Sequence, residues 1–307
     1  METTPPLFLS QCISQELAQR KRQEIDPETS IFCFWHDIAS LPGYIRLCME
    51  TWKKFYPNFA VILLDYKSLH QYLPMTCFSK EFLSHFGFAQ QSDVFRVFLL
   101  KHYGGYWLDC DTIVTRKNFF FEKKHDQMLY AVGEKESLYT GIVYANNSII
   151  IDDLCTEIDC RYALFHYFLQ MRSIFDMQKV QFAAFDAVYK NLLVEIAGWD
   201  YFSNAIWNPL LVAHQDRYVY FHPKETGTIL ESVYNEERAR PLPLGDDLYR
   251  DFYFRRDFDP LWLDKCDGLI ALHNSWTPDK YKKMGVAEFI EQDLALAKLL
   301  RRVLSRV

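Results

Sequence analysis

Little in this chain points to a membrane, a secretory route or a nucleic acid. No apolar run approaches the roughly 20 residues of a bilayer span, and no N-terminal stretch has the charged-then-apolar build of a signal peptide. The formal net charge is -6, the wrong sign for a nucleic-acid partner, which demands a basic face. The cysteines (12, 33, 48, 77, 110, 155, 160 and 266) show no C-x-x-C pair and no disulfide-like rhythm. Cys33, Cys48 and Cys110 sit inside apolar patterns, where a thiol acts as a small hydrophobe. The expectation is a cytoplasmic protein in a reducing compartment. Repeats, low-complexity stretches and flexible linkers are missing as well, so residues 1–307 are read as one domain.

What the chain does have is core. It is 50% hydrophobic and 17% aromatic, with 19 Tyr and 25 Phe, enough to bury a large interior. Residues 1–30 are polar and charge-mixed, with a helix expected over Leu17–Glu24. Ile31–Trp35 is a short apolar run fit for a buried strand. Pro42 opens a helix whose Ile45, Met49, Trp52 and Phe55 fall at helical spacing, and Tyr56-Pro57-Asn58 ends it. Phe59–Leu64 is a second strand, ending at Asp65. Strand, helix and strand make a βαβ unit with a right-handed crossover. Ligands bind beyond the carboxyl ends of such strands, so Trp35, Asp65 and Asp109 should share one crevice. Farther on, strands are expected at Met128–Val132 and Tyr139–Tyr144, and helices at about 149–173 and 179–196. Residues 198–267 look loop-rich, and a short strand at Leu269–Leu272 precedes His273. A terminal helix follows over Ala287–Leu304.

The most informative stretch begins Ser92-Asp93-Val94-Phe95-Arg96. It continues through Lys101-His102-Tyr103-Gly104-Gly105-Tyr106-Trp107-Leu108 into Asp109-Cys110-Asp111. It reads as an apolar helix closed by a Gly-Gly pair, then a strand ending on two carboxylates. Asp at i and i+2 makes a compact hard-oxygen site, suited to Mg²⁺ or Mn²⁺ shared with the phosphates of a ligand. A bare D-x-D is weak, because a chain of this length holds about one by chance. A second one, Asp257-Phe258-Asp259, has no strand pattern before it. The setting distinguishes the first.

That setting resembles the DXD-type glycosyltransferases of the GT-A fold, and within them the capsular-polysaccharide-synthesis and family 32 group, which is similar to the catalytic domain of the clostridial glucosylating toxins. Residues 92–111 fit that group's helix-then-strand pattern nearly position by position. Ile31–Trp35 resembles its first strand, which ends in an aromatic residue, and Ala271-Leu272-His273-Asn274-Ser275-Trp276 resembles its C-terminal His/Ser/Trp segment. The resemblance implies an α/β fold of GT-A type, a mixed sheet flanked by helices with a helical insertion. Residues 1–30 would be an extension and about 31–115 the nucleotide-sugar half. About 116–286 would be the acceptor half that completes the metal site, and 287–307 a terminal helix.

It also implies an activity: moving a sugar from a UDP-sugar, with Mn²⁺ or Mg²⁺ neutralising the diphosphate leaving group. Asp111 and His273 are the expected protein ligands of the metal. Asp109 would hold donor hydroxyls or the metal's water shell. Asp93 and Arg96, i and i+3 on one helical face, would grip sugar and phosphate, Arg with a fork-like hold on oxygens. Trp35 would stack on uracil, Asp65 would serve the uridine, and Ser275 and Trp276 would reach the metal and the diphosphate. Retention of anomeric configuration is expected. The expected acceptor is a glycan or lipid-linked glycan of a bacterial surface polysaccharide, capsule or lipopolysaccharide; a protein acceptor, as for the toxins, is the alternative.

Two other classes compete. Asp109-Cys110-Asp111-Thr112 superficially looks like the haloacid-dehalogenase-type phosphatases, with Asp246-Asp247 as the Mg²⁺ site. The same fold could also be a non-catalytic nucleotide-sugar-binding module. Finally, the terminal helix repeats apolar residues from Phe289 to Leu304 and carries Lys298, Arg301, Arg302 and Arg306. It is read either as packed on the body or as a weak foothold on the inner face of the membrane.

Overall fold

The computed structural model describes residues 8–122, 124–178, 187–188, 190–191, 194–196, 198–226, 228, 230–236, 245–256 and 268–305. Asp186, the second D-x-D at 257–259, Cys266, Arg306 and most of the helix expected over 179–196 lie outside the described residues.

Six strands make the central sheet: β1 (Ser30–Phe34), β2 (Ala60–Leu64), β3 (Gly105–Leu108), β5 (Leu129–Glu134), β6 (Ser137–Ala145) and β7 (Tyr218–Phe221). Their order is β2-β1-β3-β6-β5-β7, and β6 alone runs against the others. A separate two-stranded sheet pairs β4 (Thr112–Val114) antiparallel with β8 (Leu269–Ala271). Among the described residues the helices of seven or more residues are α1 (Leu9–Ala18), α2 (Gly43–Phe55), α3 (Phe88–Tyr103), α4 (Ile149–Gln178), α5 (Asn204–Ala213), α6 (Leu230–Glu236), α7 (Asp246–Tyr253) and α8 (Ala295–Ser305).

Side-chain alternation along the strands divides the core between two faces. Phe32, Trp107 and Val143 pack with α1, α3, α4 and α5. Ile31, Cys33, Tyr106, Leu108 and Ile142 pack with α2, α7 and α8. Because both faces are covered, the central strands read as continuous apolar runs. From Gln90 to Leu100 every residue of helix α3 except Ser92 is buried, so its apolar residues show no single stripe.

Several expectations need correction. The N-terminal helix is Leu9–Ala18, not Leu17–Glu24, and it buries Leu9, Ile13 and Leu17 at four-residue spacing. The loop-rich stretch contains α5, β7, α6 and α7. Pro209 lies inside α5, where burial of Ile206, Trp207 and Leu211 outweighs the hydrogen bond that proline removes. The terminal helix is two pieces, Val286–Ile290 and α8. The apolar face of α8 (Leu296, Leu299, Leu300, Val303) is buried, and α8 packs on α2. Arg301 donates to the carbonyls of Ile290 and Gln292, and Lys298 pairs with Asp293 at 2.6 Å. The stripe read as a membrane foothold is therefore spent on the core.

Cys12 and Cys77 are joined by a disulfide, their Cα atoms 5.9 Å apart. The reading of every cysteine as a reduced thiol is thus wrong for this pair, and it no longer supports a reducing compartment. A bridge across 65 residues leaves no spacing signature. Among the described residues no helix is long and apolar enough to cross a membrane.

Candidate active site

The carboxyl ends of β2, β1 and β3 lie side by side. The Trp35 N–H donates to the Leu64 carbonyl (2.9 Å), and Cys110 Sγ reaches the Phe34 carbonyl (3.4 Å). The Gly-Gly pair makes this possible. Gly104 and Gly105 have φ of 66° and 105°, a region that favours glycine. A Cβ at Gly104 would also sit 2.7 Å from Asn146 Oδ1, and one at Gly105 2.9 Å from the Ser30 carbonyl oxygen. The chain therefore leaves α3 and enters the sheet directly beside β1, which delivers Asp109 to its centre.

Asp109 and Asp111 are then parted by a turn, closed by the Thr112 N–H on the Asp109 carbonyl (2.9 Å). Cys110 between them is buried in the core. Asp109 is held from the α3 side. Arg96 Nη2 and the Trp107 indole N–H donate to its Oδ1 at 3.0 and 2.8 Å. The Arg96 guanidinium lies over the Trp107 ring, 5.0 Å from the centroid, and its Nη1 meets Asp93 Oδ1 at 3.1 Å. Asp111 is held from the opposite side by the turn after β8, where the Asn274 N–H donates to its Oδ2 (3.0 Å). The two carboxylates thus stand on independent supports.

The electrostatics follow from burial. Burial raises the Asp93 carboxyl to about 7, against the pull of Arg96. Burial and then the charge of Asp109 push Asp111 to about 7. Asp111 makes no ion pair among the described residues, whereas Asp109 shares Arg96 with Asp93. Burial lowers His273 to about 4, partly opposed by Asp109, so its imidazole is neutral and available as a ligand. Two carboxylates share one guanidinium and the third, Asp111, stands outside the pairing, an imbalance that a divalent cation would offset. Among the described residues no three His, Cys, Asp or Glu side chains gather into a ready-made metal cage. The donor set fits Mg²⁺ or Mn²⁺ completed by ligand and water oxygens, the usual habit of these ions, and not a fully protein-enclosed ion.

The remaining expected residues are placed as follows. Trp35 directly follows β1 and is half-buried, its indole N–H without a partner among the described residues. Its ring neighbours His36, which stacks on Phe88 at 4.3 Å; together they make an aromatic shelf beside the strand ends. Asp65 has another occupation. Its Oδ1 caps the short helix Tyr66–Leu69, accepting from the backbone N–H groups of Lys67 and Ser68 and from the Ser68 hydroxyl. Ser275 is exposed, and Trp276 packs on His273 with ring centroids 4.1 Å apart.

Other residues of the site carried no signal in the sequence. Tyr139 lies on β6, its hydroxyl held well above its ordinary range by burial and then by Asp109 and Asp111. Glu231 on α6 is buried, raised to about 7 by desolvation, and accepts from the Tyr253 hydroxyl (3.1 Å). Gly141 carries a steric demand. Its carbonyl accepts the Asp109 N–H (2.8 Å). A Cβ there would lie 2.3 Å from Asp109 Oδ2 and 2.7 Å from the Tyr139 ring, inside the limit of any real contact. Gly141→Ala should therefore swing the Asp109 carboxylate off Arg96 and Trp107. The expected result is about a tenfold or greater loss of activity with a modest shift in melting temperature. Unchanged turnover would show that Asp109 needs no such clearance.

The phosphatase alternative is not supported. Asp246 and Asp247 lie in the first turn of α7, and Asp246, which would have to serve Mg²⁺ there, pairs instead with Arg250 at 3.1 Å. Asp109 follows the third strand of the chain, not the first.

The sequence model of the capsular polysaccharide synthesis protein family matches residues 8–171. The chain belongs to this family. The match runs from α1 into α4 and includes every residue from Asp93 to Asp111; the His273–Trp276 turn lies beyond it. Membership implies a role in polysaccharide biosynthesis. No curated protein matches the chain.

Proposed function

We propose that this capsular polysaccharide synthesis family protein is a glycosyltransferase of GT-A type. In this reading it moves a sugar from a UDP-sugar, with Mn²⁺ or Mg²⁺, to a glycan or lipid-linked glycan of a bacterial surface polysaccharide, capsule or lipopolysaccharide. The observation that carries it is the acidic cluster at the strand ends. Asp109 and Asp111 stand near enough to act on one another's charge, on separate supports and with too little positive charge to balance them. The mixed sheet with helices on both faces is of the kind this reading requires.

Asp111 and His273 would hold the metal, which supplies charge neutralisation for the departing diphosphate. Trp35, with His36 and Phe88 behind it, offers a flat apolar face to a base. Asp109, one-third exposed, is oriented to accept from donor hydroxyls or metal-bound water. Arg96 and Asp93, with side chains 3% and 10% exposed, lie beneath Asp109. Their part is to fix that carboxylate and the local charge, and the open grip on phosphate expected of Arg96 does not suit its depth.

A panel of UDP-sugars with Mn²⁺, followed by mass spectrometry, tests this. Slow release of UDP from one donor is expected without acceptor, and transfer when the acceptor is present. Retention predicts an α-linked product from an α-linked donor, read from the anomeric NMR signal; a β-linkage would require an inverting base instead. Phosphomonoester hydrolysis, or binding without any turnover, would overturn the assignment.

A further inference from the structure

The turn that carries His273 is tied down by residues that no reaction step requires. The Tyr249 hydroxyl, from α7, meets Thr277 Oγ1 at 3.1 Å, and Thr277 Oγ1 donates to the His273 carbonyl at 3.3 Å. The Thr277 and Trp276 N–H groups close on the same carbonyl, at 3.2 and 3.0 Å. From α2, the Tyr44 hydroxyl donates to Asn274 Oδ1. Asn274 in turn is the residue whose N–H fixes Asp111. Tyr44 and Tyr249 are both fully buried and Thr277 is 2% exposed, so none of them can touch a substrate.

We propose that Tyr249, Thr277 and Tyr44 are positioning residues for the metal site. They lock the His273–Trp276 turn so that the Asn274 N–H stays on Asp111 and the His273 ring, packed on Trp276 and Tyr249, keeps one fixed place beside the acidic pair. The proposal rests on the metal-dependent transferase reading given above. Two rings could supply packing alone; hydroxyls aimed at the polar atoms of this one turn supply direction. Outer partners that orient first-contact groups commonly alter metal affinity by about 10–100-fold when removed.

The test uses the full-length protein and Mn²⁺ with UDP as the probe, free Mn²⁺ being counted by electron paramagnetic resonance. Tyr249→Phe keeps the ring and removes the hydroxyl, and should weaken Mn²⁺ binding about tenfold or more. Tyr44→Phe should act in the same direction. Thr277→Val keeps the shape but loses Oγ1 and should match Tyr249→Phe, whereas Thr277→Ser keeps Oγ1 and should bind like the wild type. The half-saturating Mn²⁺ for donor hydrolysis should shift in parallel, with kcat at saturating metal changed less. Lower melting temperatures with unaltered Mn²⁺ binding would reduce these residues to packing and overturn the proposal. So would equal behaviour of Thr277→Val and Thr277→Ser, which also settles the matter if Tyr249→Phe does not fold. A wild type that binds Mn²⁺ with UDP but turns over no donor would count against the transferase reading alone, leaving the positioning test intact.

Discussion

Asp111→Asn is expected to abolish Mn²⁺-dependent turnover, by about a hundredfold or more, while stabilising the metal-free fold. The loss follows from replacing an anionic oxygen by an amide of nearly equal size at the expected metal ligand. Several kcal/mol of leaving-group stabilisation go with it. The gain follows from linkage. Burial and Asp109 raise the folded-state Asp111 carboxyl from 3.8 to about 7. A raised carboxyl binds its proton more tightly when folded, so its contribution is fully present below the unfolded value. It is lost as pH rises through about 7. Above that pH the metal-free wild type carries a half-buried charge beside Asp109 that the amide lacks, so Asp111→Asn should melt higher at pH 8 without metal. Mn²⁺ should raise the melting temperature of the wild type and not of the variant. Because the proton and the metal compete for one carboxylate, apparent Mn²⁺ affinity should strengthen up to about pH 7 and then level off. Asp257→Asn, in the second D-x-D, should leave all these readings unchanged. Full Mn²⁺-dependent activity in Asp111→Asn would remove Asp111 from the metal site.

The parts of the fold and site that could be read in advance were those fixed by local chemistry. A Gly-Gly pair after an apolar helix announces a sharp re-entry, and both glycines do adopt positive φ. The apolar runs at 31–35 and 59–64 pair in parallel along their length; the first is buried on both faces, as its continuous hydrophobicity predicts, while the second is an edge strand and only partly covered. Contacts made at long range left no local trace. Arg96 lies at i+3 from Asp93 and was paired with it by spacing, but its bond to Asp109 depends on where β3 emerges. Asp65 ends its strand as expected, yet its carboxylate is taken by Ser68 three residues on. An Asp-x-x-Ser pattern at a strand end can be read as a capping box, so that signal was present. Tyr44, Tyr249 and Asn274 are drawn together from separate parts of the chain, and no local pattern marks such a meeting. The Cys12–Cys77 bridge is hidden for the same reason.

Arg96→Met should cost both stability and activity, and the two losses should separate. Arg96 is the cation facing both Asp93 and Asp109, and its side chain is 3% exposed. Methionine keeps apolar volume over Trp107 but leaves Asp93, 10% exposed, without its partner. Breaking a buried pair from one side costs about 3–5 kcal/mol. Part of that cost is avoidable by protonation. Burial already holds Asp93 at about 7 with Arg96 pulling it down, so without the guanidinium it rises further. The penalty in denaturant melts should therefore be smaller at pH 5 than at pH 8. Adding Asp93→Asn removes the stranded charge and should recover much of the stability at pH 8. It should not recover turnover, because Asp109 keeps only the Trp107 indole N–H of its two side-chain donors and loses its fixed direction. Donor hydrolysis in the double variant is expected to stay at least about tenfold below wild type. If activity returned together with stability, Arg96 would be a structural counter-ion to Asp93 and nothing more, and the orientation of Asp109 would have to come from Trp107 and Gly141 alone.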